Sequence, residues 1–350
     1  MERLNILITA DPLIPVPPVY YGGIERIIYM LICGLHKYGH KVHLFAHPDS
    51  SAPAEIVPLN RKGNSLKDAI VYALQIYKYV KKNNIDIIHS FGRLAYLFFL
   101  MHKKTPKIQS YQRPICARSI WLGNLLGRES ITFTACSYSC MRNVAHLGRW
   151  EVIPNGVPLE NFQFNHQVSE DAPLVFLSRL EPIKGAHIAI EIAQRTRKNL
   201  ILAGSYSKTG ENYTYFIKEI LPYCDGKNIR YIGPVDDLKK NELLGMASAL
   251  LFPVEWEEPF GIVMVEALAC GTPVIAFKRG AVPEVIEDGI NGFLCESKEG
   301  MVKAVSRIRE IDRAKCRQIV EKKFSNEVIV KRYLNLYYRL LNKKLKTDVS

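Results

Sequence analysis

Two carboxylates, Glu258 and Glu266, sit in the stretch "EEPFGIVMVEALACGTPVIAF" (Glu257 to Phe277), around a Pro259–Phe260–Gly261 turn and an apolar segment. A helix that begins near Gly261 presents unsatisfied N–H groups from Gly261, Ile262 and Val263. Glu266 then lies about five residues in, roughly 7.5 Å up the axis at 1.5 Å per residue. This separation predicts two distinct contacts and no shared proton. Carboxylates accept paired hydrogen bonds from vicinal hydroxyls well. A buried Glu266 without such a partner is costly among Ile, Val, Met, Ala and Leu. The competing arrangement has Glu258 capping the helix and Glu266 on an exposed stripe.

Cations stand where an anion could be held. In "SRLEPIKG", Arg179 and Lys184 flank a Pro-containing loop. Across a turn, the guanidinium fork and the ammonium can reach the same oxygens, which suits a diphosphate. Two solvated cations are the alternative. In "YYGGIER", Gly22 and Gly23 separate a strand from a helix. Two glycines let a phosphate or sugar approach the helix N-terminus, or they serve a turn with positive φ. The spacing is not that of a dinucleotide fold. Asp236 and Asp237 read as a helix N-terminus in preference to a cation site.

These loops need a scaffold. "LNILITA", "KVHLFAH", "IDIIHS", "KIQSY" and "ITFTACS" read as strands. "IERIIYMLICGLHKYGH" and "LKDAIVYALQIYKYVKKNN" carry helical spacing. The alternation restarts at "PLVFLSRL" and runs through "NLILAGS", "IRYIGPV", "ALLFPV", "TPVIAFK" and "GFLCE". The fold class predicted is α/β, with two doubly wound Rossmann-like domains facing a cleft. The first spans residues 1–162 and the second 163–325, and the polar stretch Asn161–Pro173 reads as the linker. A final helix, about residues 326–345, packs back on the first domain or touches a membrane as a basic amphipathic element.

Composition bounds the rest. The chain has 350 residues, 48% hydrophobic and 23% charged, which is ordinary for a globular protein with a large core. Its most apolar run, "LAYLFFLM", is far short of the roughly 20 residues of a membrane span. "MERLNILITA" is a better first strand than a signal peptide, so a cytoplasmic location is expected. Eight cysteines lack metal spacing and read as reduced thiols. Net charge is +13, and residues 1–160 hold 19 Lys/Arg against 10 Asp/Glu. That excess suits an anionic substrate or an anionic membrane surface. No nucleic-acid recognition motif accompanies it.

Taken in order, "GGIER", "IDIIHS", "ACSYSCM", "VIPNGVP", "SRLEPIKG", "LILAGS", "YIGPV", "EEPFGIVMVEALACGTPVIA" and "GAVPEVIEDGINGFL" resemble the retaining glycosyltransferases of family 4 over nearly the whole chain. The resemblance implies the two-domain GT-B fold and transfer of a sugar from a nucleotide diphosphate sugar, UDP preferred over GDP. The acceptor would be a hydroxyl of a glycan or lipid-linked glycan in cell-surface polysaccharide or lipopolysaccharide synthesis. By the same resemblance, Arg179 and Lys184 hold the diphosphate, Glu258 binds donor-sugar hydroxyls, and the amides of Gly261, Ile262 and Val263 hold the sugar or phosphate. Glu266 takes the ribose, Val235 lies near the base, and Gly23 approaches the diphosphate from the first domain. No metal or resident cofactor is implied, and the basic first domain would rest on the inner face of a membrane.

Two positions depart from the family pattern. Gln112, in "SYQRP", stands where many members carry a cleft histidine, and His89, in "DIIHS", matches a different histidine. Both are expected on the acceptor or donor-sugar side. Pro158 replaces an acidic residue common after "NGV". A nucleotide-sugar epimerase or phosphorylase of the same fold, or a non-catalytic nucleotide-sugar-binding subunit, are the other readings.

Overall fold

A computed structural model describes residues 2–19, 22–59 and 65–342. The chain forms two compact units. Gly156–Ser325 is one, and the residues up to Asn155 together with those from Asn326 onward are the other.

In the first unit the chain runs β1 (Asn5–Thr9), α1 (Gly23–Lys37), β2 (Lys41–Ala46), β3 (Glu55–Pro58), α2 (Leu66–Lys82) and β4 (Ile87–Ser90). A 3-10 turn over Leu94–Leu100 leads to β5 (Lys107–Tyr111), α3 (Ala117–Gly127), β6 (Ile131–Ala135), α4 (Tyr138–Met141) and β7 (Trp150–Val152). The sheet order is β3-β2-β1-β4-β5-β6-β7 and every pairing is parallel. Ile6 lies between Val42 and Ile87, so β1 is flanked by apolar strands on both sides. Near-continuous apolar strands are what a sheet covered on both faces requires. The edge strands β3 and β7 have four and three residues, too few for a period to show.

The second unit repeats the scheme. It runs β8 (Leu174–Leu177), α5 (Ala186–Thr196), β9 (Leu200–Ala203), α6 (Gly210–Tyr215), β10 (Ile229–Tyr231), α7 (Asp237–Met246) and β11 (Ala249–Phe252). Then come α8 (Ile262–Ala269), β12 (Val274–Phe277), α9 (Val282–Val285), β13 (Gly292–Cys295), α10 (Lys298–Arg307) and α11 (Arg313–Lys323). Its order is β10-β9-β8-β11-β12-β13, again parallel. Strand order reverses at β1/β4 in one sheet and at β8/β11 in the other. Ligands of doubly wound sheets bind beyond the carboxyl ends of the strands at such switch points.

Residues 156–173 are not a free spacer. Val157 N–H donates to the Phe324 carbonyl at 2.9 Å, inside the second unit. The Arg313 guanidinium donates to Asn165 O at 2.8 Å and Arg317 to Phe162 O at 2.9 Å. Arginine side chains of α11, not a sheet, thus satisfy two carbonyls of this polar, aperiodic stretch. The unit therefore begins at Gly156, earlier than residue 163.

Helix α12 (Asn326–Leu340) belongs to the first unit and ends before residue 345; positions 343–350 lie outside the described residues. Its tyrosines are buried, so it packs and offers no apolar face to a membrane. Tyr338 donates to Glu2 O at 2.6 Å, and a Cβ at Gly34 of α1 would collide with Val330. Among the described residues no helix is long and apolar enough to cross a membrane. The eight cysteines form no disulfide.

His89 corrects an expectation. It is fully buried in β4, with Nδ1 2.6 Å from Tyr337 Oη of α12 and Nε2 2.6 Å from Ser110 Oγ of β5. It ties α12 to the sheet and faces no ligand. Burial pushes its pKa down to about 3. The unfolded chain takes up this proton near pH 6.5, so the stability that the neutral ring contributes is complete above that pH and is lost as pH falls toward 3. The stability gap between wild type and His89→Gln, measured by urea unfolding at about pH 4 and about pH 7, is expected to widen with pH by up to about 1.4 kcal/mol per unit. A gap that does not change with pH would contradict this assignment.

Candidate functional site

The loops at the second switch point are fixed by backbone contacts that only glycine permits. After β8, residues Pro182–Lys184 form one 3-10 turn and Gly185 adopts φ +76. A Cβ at Gly185 would collide with the Pro253 carbonyl at the end of β11. After β12, Gly280 adopts φ +55, and a Cβ there would collide with the backbone of Glu258. Ala281 N–H donates to Glu258 O at 2.9 Å and Gly280 N–H to the Glu257 carboxylate at 3.1 Å. Three strand ends thus hold one loop in place.

Lys184 and Glu258 meet there. Both are buried, with exposures of 9% and 8%. Lys184 Nζ is 2.6 Å from Glu258 Oε2, and the Trp256 indole donates to the same oxygen at 2.8 Å. The ammonium also sits 4.7 Å from the centre of the Trp256 ring. Charge, hydrogen bond and ring face together offset the cost of burying the ions. Glu258 does not cap α8. Gly261 is the N-cap, at φ +78, and Ile262 and Val263 open the first turn half-buried. Their amides are the anion-accepting end of the helix. Arg179 lies on the same loop as Lys184, but its guanidinium is bonded to Glu181.

Glu266 is buried at 5% exposure, which excludes the exposed stripe. Its partner within the protein is Lys240 of α7, with Nζ 2.5 Å from Oε1. Lys240 also reaches Asp237 at 3.1 Å and lies 5.7 Å from the centre of the Phe162 ring. Val235 is half-buried in the loop that precedes α7. Asp236 accepts from Lys239 N–H at 2.8 Å and is a helix cap. Among the described residues no group of three or more His, Cys, Asp and Glu could hold a metal ion.

In the first unit the two glycines divide their work. Gly22 has φ +150, and a Cβ there would sit 2.7 Å from Pro18 Cβ, so the turn needs it. A Cβ at Gly23 would meet nothing within 4 Å among the described residues. Beside them Glu25 is buried at 5% exposure, and its pKa is raised by burial, with Asp11 adding to the rise. Asp11 accepts from Tyr96 and from Arg113, each at 3.3 Å. Gln112 follows β5, half-buried, and its Oε1 is buried with no hydrogen-bond partner among the described residues. An orphaned buried acceptor is rare in proteins and calls for an explanation.

Sequence reasoning missed Lys240, Trp256 and Glu25. "DLKKNELLGM" shows Lys240 only as one cation on a polar helix, and its separation of 26 positions from Glu266 gives no spacing signal that would pair the two. The one available signal was the cost of a lone carboxylate in an apolar helix, which demands a partner without naming it.

A family model described as "Glycosyltransferase Family 4" matches residues 21–161, and one described as "Glycosyl transferases group 1" matches residues 159–325. The chain belongs to the family 4 glycosyltransferases. It is similar to the glycogen synthase of Mycobacterium tuberculosis, at 23% identity over 83% of each chain. It is also similar to the phosphatidylinositol N-acetylglucosaminyltransferase gpi3 subunit of Schizosaccharomyces pombe, at 26% identity over 82% of this chain and 70% of that one. Among solved structures, HepE of Anabaena in complex with UDP and glucose superposes with a TM-score of 0.75 at 18% identity, covering 96% of this chain and 100% of HepE. The shared two-domain architecture is GT-B.

The buried Lys240–Glu266 pair makes a specific demand. Lys240→Met is expected to cost about 3–5 kcal/mol in thermal or urea unfolding, because it strands a buried carboxylate. The double variant Lys240→Met/Glu266→Leu should recover most of that loss. Additive losses in the double variant would show that the pair is not coupled.

Proposed function

We propose that this glycosyltransferase moves a sugar from a nucleotide diphosphate sugar, UDP in preference to GDP, to a hydroxyl of a glycan or lipid-linked glycan. Cell-surface polysaccharide or lipopolysaccharide assembly at the inner face of a membrane is the process in which we place it. The observation that carries this reading is the buried Lys184–Glu258–Trp256 cluster beside the N-terminus of α8, at the switch point of the second sheet. The cluster joins a cation for phosphate, a carboxylate for hydroxyls and free helix amides within one loop set. The UDP bound to HepE and the glycan and lipid chemistry named for the two relatives support the choice of donor and acceptor.

Each residue then has a role. Lys184 holds the diphosphate and stabilises charge on it as the sugar–phosphate bond breaks. Arg179 joins it by exchanging Glu181 for phosphate oxygens. Glu258 has Oε2 committed to Lys184 and Trp256, so Oε1 accepts from sugar hydroxyls. The amides of Gly261, Ile262 and Val263 bind sugar or phosphate oxygens, Glu266 beside Lys240 accepts from the ribose, and Val235 borders the base. In the first unit, Gly23 opens a helix N-terminus to a phosphate oxygen, and the orphaned oxygen of Gln112 accepts from a sugar hydroxyl. Neither a metal nor a resident cofactor has a part. Transfer retains the anomeric configuration: the acceptor hydroxyl attacks from the face that the leaving phosphate quits, and that phosphate takes the hydroxyl proton. Positioning and electrostatics carry the rate.

Nucleotide release from UDP-sugars is expected to fall about 100- to 1,000-fold in Glu258→Ala and in Lys184→Ala. The product's anomeric proton coupling should match that of the donor. Unchanged turnover in both folded variants, or an inverted product, would overturn the proposal.

A further inference from the structure

Helix α3 is built inside out. Its inward residues are Ile120, Gly123 and Gly127, whereas Trp121, Leu122, Leu125 and Leu126 are exposed, Trp121 by 58% and Leu125 by 55%. A Cβ at Gly123 would lie 3.0 Å from Leu94 and 3.2 Å from Phe133, and one at Gly127 would lie 2.7 Å from Ile131. Glycines thus let the helix lie close on the sheet, and Ile120 is its one large side chain in the unit's core cluster. Positions 118, 121, 122 and 125 recur at the spacing of a single helix face. That face is apolar, with exposed Arg118 at its start and exposed Arg128 just past its end. The layer it belongs to continues the pattern. Helix α2, the Leu94–Leu100 turn and α3 bury their inner residues in one cluster, and the first two also expose Leu66, Ile70 and Phe98. Monomeric proteins rarely leave such a surface uncovered.

Charge says what covers it. Between Asp86 and Glu151 the chain holds nine Lys/Arg and a single carboxylate, Glu129. Lys107 is buried against carbonyls and Arg113 is paired with Asp11, whereas Arg118, Arg128, Arg142 and Arg149 are exposed. A second copy seated on this face would oppose like charges, which disfavours pairing. An anionic bilayer satisfies both features: acyl chains receive the Trp and Leu side chains, and headgroups receive the arginines. We propose that the outward face of α3 is the site at which the chain docks on an anionic lipid bilayer. This rests on the reading of a lipid-linked acceptor but is tested apart from it.

The full-length protein is sedimented with vesicles of phosphatidylcholine alone or mixed with phosphatidylglycerol, without donor or acceptor, so the result is independent of transferase activity. Binding to the mixed vesicles is expected, with a partition coefficient about tenfold lower or less in Trp121→Ser/Leu125→Ser. Arg118→Glu/Arg128→Glu, which leaves the apolar stripe intact, should abolish the preference for anionic vesicles. Both variants should keep the wild-type thermal shift with UDP-sugars, which reports a folded second unit. Absence of binding to anionic vesicles, unchanged partition of the double-serine variant, or a dimer that this variant dissociates would each overturn the proposal.

Discussion

A carboxylate buried in the second unit must be matched by a cation, and the structure is organised around that requirement. Glu258 is held 2.6 Å from Lys184 with an indole donor on the same oxygen. Glu266, one helix turn further back, is held 2.5 Å from Lys240. Each pair is a charge-assisted hydrogen bond in a site largely shielded from water, where breaking one member is far costlier than the net worth of the pair. The arrangement keeps two carboxylates oriented before any ligand arrives. In the proposed function, a sugar or ribose hydroxyl then meets an acceptor that needs no reorganisation.

The scaffold meets this requirement with strand ends and glycines. Reversal of strand order at β8/β11 brings the Arg179–Lys184 loop beside the Glu255–Gly261 loop. Gly185 and Gly280 then remove the side chains that would hold those loops apart. The first unit has the same reversal at β1/β4, where Gly22 supplies the turn and Gly23 opens α1. Family membership and the GT-B fold follow from the same strand-and-loop order, since the family matches cover residues 21–325 between them.

Much of this was legible in the sequence. Long apolar strands and helices with a clear period located both sheets, and Glu258, Lys184 and Gly261 were visible because motif and loop coincide. What stayed hidden was pairing between distant segments. Nothing near Glu266 points to Lys240, and nothing near His89 points to Tyr337 across 248 residues. His89 looked like a ligand-side histidine because "DIIHS" resembles a histidine motif of the family; the aromatic residues of α12 make it a core residue. The stretch Asn161–Pro173 looked like a linker because the carbonyls of Phe162 and Asn165 are satisfied by Arg317 and Arg313, far along the chain. Helix α3 escaped notice for a related reason: its apolar residues face outward, so they do not mark a core.

In the proposed function, Glu258 reads the sugar while Lys184 reads the diphosphate. Calorimetric titration of UDP and of a UDP-sugar into wild type and Glu258→Gln separates the two. The account predicts that the variant holds or tightens UDP binding while its UDP-sugar affinity falls about 10- to 100-fold, as expected for loss of hydrogen bonds to a charged acceptor. Equal losses for both ligands, or no loss for either, would contradict it.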